Sequence, residues 1–210
     1  MREILPGVFV VPQNGAKGFG YSHFVRRPAG NLVLDAMRNT SISESFDAMA
    51  AQGGVAAVVI SDRHLGGPST NQIAERFGAR VYCSAIEADA MGRRPNQVRI
   101  DHALAFERTV IEGDVQLIPT PGHTEAQFST LAEVGGRRIL FTADFVYRSD
   151  AGWRPGNLSR RKMLKSFEGL RDLEFDHVVP CTSYSREEFF VPIASVDAAV
   201  DAMIAACTKP

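Results

Sequence analysis

The sequence predicts an α/β protein in which two β-sheets pack face to face and helices cover their outer sides. Two observations carry this prediction. Each half of the 210-residue chain runs through short strands before it reaches helices. The middle of the first half alternates strand, loop, helix and strand, the pattern of a layered α/β unit. With 45% hydrophobic and 22% charged residues, the chain can bury one compact domain with a sizeable core, or two fused small layers.

In order, GVFVVPQ, YSHFVRRP and NLVLDA alternate or run apolar between Gly, Pro and Asn, which predicts consecutive antiparallel strands. ISESFDAMAAQGG spaces its apolar residues at helical intervals, with Ser41 or Ser43 as cap and Gly53-Gly54 as terminator. VAAVVIS is a buried strand by its β-branched run. The loop DRHLGGPST separates it from a helix, NQIAERFG, and from a further strand, RVYCS. ALAFE, TVIEG, VQLIPT, QFSTLAEV and RRILFTAD read as strands, the last two joined by a hairpin turn at Gly135-Gly136. RKMLKSFEGLRDL is an amphipathic helix through Met163, Leu164, Phe167 and Leu170. HVVPC is a strand, and SVDAAVDAMIAAC is a closing helix apolar enough to offer a face to a second copy of the chain.

A formal net charge of -1 gives no general attraction to nucleic acid or to an anionic membrane. The arginine pairs at 26–27, 93–94, 137–138 and 160–161 are scattered and read as solvated faces. The N-terminus lacks a secretory apolar region, and no stretch reaches the length of a membrane span. Cys83, Cys181 and Cys207 are far apart and odd in number, which fits a reduced cytoplasm and no C-x-x-C site.

Three polar groups stand out because each directly follows an apolar strand: the cluster Asp62, Arg63 and His64, then His123, then Asp144. Histidine and carboxylate from several strand ends can hold a divalent ion, whereas taken singly each reads first as an ordinary loop residue. His23 lies two residues from Tyr21 on a strand, as a site wall or a satisfied strand histidine. His102 and His177 sit in charged contexts and read as surface or structural residues. Tyr147 and Trp153, in the loop YRSDAGWRPGN, form a lid or simply pack. The loop after Asp144 and the one around Arg93 to Asn96 would set specificity.

GYSHFVRRPAGNLVLDA, VVISDRHLGG, LIPTPGHT, ILFTADF and FDHVVPC, in this order, resemble the metallo-β-lactamase fold superfamily over nearly the whole chain. The resemblance implies a single domain over residues 1–210, a four-layer αββα sandwich of two mixed β-sheets with helices on the outer faces. In that superfamily the segments similar to VVISDRHLGG, PGHT and FTAD carry an HxHxDH run, a histidine and a metal-bridging aspartate.

An ungapped register puts Asp62 and His64 on the first two histidine positions of that run, and Gly66 and Gly67 on its Asp-His pair. The family's Pro-Gly-His-Gly near the carboxyl end is replaced by Pro180-Cys181-Thr182-Ser183. The resemblance then implies at most a mononuclear site: Asp62, His64 and His123 as ligands, with Asp144 as a further ligand or a water-orienting carboxylate. The ion would be zinc, manganese or iron, and the reaction hydrolysis of a small ester, thioester, lactam-like or phosphoester bond. Arg63 is awkward beside a cation, because a guanidinium cannot lose its charge. It points away, or pairs with Asp62 or Asp144 in place of the ion. In that second case the chain is a metal-free binding or scaffold protein.

Overall fold

The structure, a computed structural model, describes residues 1–11, 21–36, 41–93, 97–156, 158–181 and 190–208. Pro12 and Gln13 of the first predicted strand, Arg94 to Asn96, Asn157, and Thr182 and Ser183 lie outside these residues. The chain divides into two compact units, Met1–Phe106 and Glu107–Pro210. Each contains one mixed sheet and its own apolar core.

The first unit holds strands β1 (Arg2–Leu5), β2 (Val8–Val11), β3 (Ser22–Val25), β4 (Leu32–Leu34), β5 (Ala57–Val59), β6 (Arg80–Ser84) and β7 (His102–Leu104), paired in that order. From β1 to β4 the pairs are antiparallel. From β4 to β7 they are parallel, because helical crossovers return the chain each time. The crossovers are α1 (Phe46–Ala51), α2 (Pro68–Phe77) and α3 (Ala85–Gly92).

The predicted helix ISESFDAMAA is split. A 3₁₀ turn over Ile42–Ser45 leads into α1, without a side-chain cap from serine. Gly53 and Gly54 end it with φ of +100° and +78°, a conformation glycine adopts without a Cβ clash. Helix α2 begins at Pro68, earlier than expected, since proline is preorganised for the first helical position. Helix α3 was not predicted. Its start carries the signature Ser84-Ala-Ile-Glu87, and the Ser84 hydroxyl accepts from the Glu87 N–H at 3.2 Å.

His23 is buried in β3, opposite Val10 and Leu34. Burial lowers its imidazole from the usual 6.5 to about 4. Between those values the unfolded chain binds a proton that the folded chain refuses. Stability is therefore fully present above about pH 6.5 and is lost as the pH falls toward 4, by about 3 kcal/mol. Urea titrations near pH 7 and near pH 4.5 should show this loss in the native protein and not in His23→Leu; equal acid losses in both would refute it.

The second unit holds β8 (Thr109–Ile111), β9 (Val115–Pro119), β10 (Phe128–Val134), β11 (Arg137–Ala143), β14 (His177–Pro180) and β15 (Val191–Pro192), in spatial order β15-β14-β11-β10-β9-β8. The β11–β14 pair is parallel and its other neighbours are antiparallel. Gly135 and Gly136, both left-handed, turn β10 into β11 as expected. The predicted aromatic loop is instead a hairpin, β12 (Val146–Ser149) and β13 (Gly152–Pro155). The Trp153 ring packs against the core under the Arg148 guanidinium, so packing rather than a free lid explains it.

Helices α4 (Arg160–Gly169) and α5 (Val196–Thr208) follow. Met163, Phe167, Val200, Met203 and Cys207 join Phe145 and Leu140 in one buried cluster. The apolar face of α5 is thus spent inside its own unit. His102 stacks on Tyr82, and His177 opens β14 beside Asp176. Among the described residues, no helix is long and apolar enough to cross a membrane.

Candidate metal centre

In the first unit, β4, β5 and β6 run parallel, so their carboxyl ends share one rim. Asp35 follows β4, Ser61 to His64 follow β5, and Ser84 ends β6 with Glu87 just after it. Asp35 is buried in a left-handed conformation (φ 56°), a strained arrangement for a residue other than glycine. Its carboxylate accepts from the Ser61 N–H at 2.9 Å and from the Ser61 hydroxyl at 3.1 Å, which fixes the start of the loop after β5.

Asp62 is fully buried, and its Oδ1 accepts from the His64 N–H at 2.7 Å. The same oxygen lies 3.5 Å from His64 Nδ1, while the His64 ring stays half exposed. Arg63 turns to Glu87. Its backbone N–H and its Nε donate to Glu87 Oε2 at 3.0 and 2.6 Å, and its Nη2 donates to Oε1 at 3.0 Å. This two-pronged bond is the geometry guanidinium and carboxylate favour. Cys83, buried beside them, has its thiol pushed well up, first by burial and then by the charges of Glu87 and Asp62. Three buried carboxylates at one rim are costly without cations.

In the second unit, β9 and β11 run the same way with β10 between them, and β14 runs parallel to β11. The residues after these strands, His123, Asp144 and Cys181, therefore share a rim. His123 sits in a turn that Gly122 fits to α4: a Cβ on Gly122 would lie 2.2 Å from Met163 Cγ. The strand β11 ends in Ala143 with φ 49° and a register shift, which aims Asp144 out of the sheet.

His123 Nε2 lies 3.8 Å from Asp144 Oδ2. On the far side of the ring, Nδ1 is 3.3 Å from the Gly156 carbonyl oxygen. With Nδ1–H donating to that carbonyl, Nε2 keeps its lone pair, the arrangement found behind metal-binding histidines. Two bonds of about 2.1 Å would span the gap between Nε2 and Oδ2, so this pair fits an ion's ligands. Asp144 Oδ1 accepts a bond from the Cys181 thiol at 3.1 Å.

No protein-family model matches the chain, and a search of curated proteins finds no match. Solved structures match well. Rm3 metallo-β-lactamase aligns at a TM-score of 0.67 and 18% identity, over 96% of this chain and 89% of its own. A Cronobacter sakazakii metallo-β-lactamase described by a HARLDQ motif aligns at 0.61 and 21%, over 86% and 80%. The chain has the metallo-β-lactamase fold. A B3 metallo-β-lactamase described as having an active-site glutamic acid also aligns, at 0.66 and 14%, over 97% and 86%.

Within this metallo-β-lactamase fold the structure brings Asp62 to His64 in one unit and His123 to Asp144 in the other. Sequence reading missed three residues that support them: Asp35, Glu87 and Gly156. Asp35 and Glu87 left a trace in the sequence, one as a carboxylate closing an apolar strand, the other in the Ser84-x-x-Glu87 pattern. Gly156 left none, since glycine after Arg154-Pro155 reads as any loop.

Proposed function

We propose that this chain is a metal-dependent hydrolase of a small ester, thioester or lactam-type substrate, working with one divalent ion. The observation that carries the reading is His123, whose ring is backed by the Gly156 carbonyl and whose Nε2 faces Asp144 Oδ2 at 3.8 Å. Asp62, His64 and His123 form the ligand set, two imidazoles and one carboxylate, and zinc, manganese or iron suits it. A bound ion of this kind polarises a carbonyl and acidifies water.

The chain's own residues do the rest. Asp144 holds an oxygen where it orients a water or takes its proton. The half-exposed His64 ring leaves its side of the site open to substrate. A carboxylate in the site has a parallel in the aligned B3 metallo-β-lactamase described as having an active-site glutamic acid.

A second ion is disfavoured at Gly66, where the family pattern has aspartate. A Cβ there would lie 2.6 Å from Met91 Sδ and 3.3 Å from Ile60 carbons. A metal-free binding protein is the second reading, favoured by one observation: the Cys181 thiol satisfies Asp144 Oδ1 without an ion.

Metal content decides between them. After loading with zinc, manganese or iron and desalting, the protein should retain about one equivalent of one of these metals. His123→Ala and Asp62→Ala should each strip it, and Cys181→Ala should not. Retention below about a tenth of an equivalent in the native protein would establish the metal-free reading. Retention in both ligand variants would mean that other residues hold the ion.

A further inference from the structure

Arg63 raises a problem for any metal site, since it places a fixed positive charge between Asp62 and His64 in the chain. Glu87 resolves it. We propose that Glu87 is a positioning and charge-neutralising residue for the metal loop, locking Arg63 in place and cancelling its charge so that Asp62 and His64 can serve a cation. The inference rests on the metal-dependent reading and deepens it.

Three features support it. Glu87 receives three bonds from one residue, including the Arg63 backbone N–H, so it holds the loop's main chain as well as its side chain. The Glu87 side chain is completely buried, whereas the Arg63 side chain is 28% exposed. A buried carboxylate keeps its charge only with such a partner, and the guanidinium, held by both Glu87 oxygens, is turned toward α3. Finally, Glu87 stands in the first turn of α3, anchored by its own N–H to the Ser84 hydroxyl. There the positive end of the helix favours a carboxylate. In a capping box that carboxylate would fold back on the helix start; here it reaches across to the loop after β5.

A charge-neutralising residue and a merely structural one respond differently to removal of the charge alone. In Glu87→Gln the amide keeps the shape, and the Arg63 charge loses the buried carboxylate that offsets it. In Arg63→Gln/Glu87→Gln the local charge returns to that of the native pair. In Arg63→Gln alone the site gains negative charge while the fold loses the bridge.

The experiment is competitive zinc titration against a chromophoric chelator, with thermal melting of each metal-free variant. Zinc affinity should fall about 10–100-fold in Glu87→Gln, the usual effect of losing an outer-shell partner. It should return to within about threefold of native in the double variant, because the net charge is restored. In Arg63→Gln the melting temperature should drop without any loss of zinc affinity. Native-like affinity in Glu87→Gln overturns the inference, as does a double variant as weak as Glu87→Gln. Should Glu87→Gln not fold, weakened zinc binding in Arg63→Gln overturns it instead. Failure of the native protein to bind zinc, manganese or iron removes the metal-dependent reading itself, and this inference with it.

Discussion

Gly156→Ala is expected to unravel the His123 rim and to cost the fold about 3 kcal/mol or more, at the upper end of overpacking effects. The reason is contact with main chain. A Cβ at this position would stand 1.9 Å from the Asp144 carbonyl oxygen and 2.9 Å from His123 Nδ1. A flexible side chain can swing away from such a clash, but here the Gly156 N–H also donates to the Phe145 carbonyl at 3.0 Å. Relief therefore requires the segment after β11 to move, and with it the two residues that face each other across 3.8 Å. Urea unfolding would show the loss, and metal retention should fall with it. Gly169→Ala is the matched control, because a Cβ at that helical position meets nothing within 4 Å. It should be neutral or stabilising by up to about 1 kcal/mol. Equal behaviour of the two variants would refute the crowding account.

Saturating zinc should raise the melting temperature of the native protein by about 5–10 °C. An ion that binds only the folded chain stabilises by RT ln(1 + [L]/Kd), about 2.7 kcal/mol at a hundred times Kd. For a chain of this size each kcal/mol moves the midpoint by about 2–4 °C. His123→Ala should show almost none of this rise. It removes a proposed ligand whose ring is only partly buried, so its own metal-free melting point should stay near native. A rise of the same size in the variant would place the stabilising ion elsewhere.

The site's strand-end residues were legible because each stands where an apolar run stops, at Val59, Pro119 and Ala143. The antiparallel start of the first sheet was legible too, as short apolar runs set between Gly, Pro and Asn. What was hidden depends on partners far off in the chain. The pairing of Arg63 with Glu87 joins residues 24 apart, and its rival partners, Asp62 and Asp144, looked as plausible from spacing alone. Gly156 matters only because Asp144 and His123 fold against it. Helix α3 escaped notice because Ala85–Gly92 has no clear apolar stripe, with Ile86 exposed and Glu87 buried. The β12–β13 hairpin did so because its turn sits among mixed polar residues rather than in a recognisable Asn-Gly pair.

The thiol contact between Cys181 and Asp144 spans 37 residues, and it exists only once β14 has zipped alongside β11. Asp62 and His64, two residues apart, meet as soon as their loop closes. The two sets of ligand-type residues thus differ in the order in which a growing or refolding chain can assemble them. The local set forms with its turn, and the distant set must wait for a slow, non-local strand pairing.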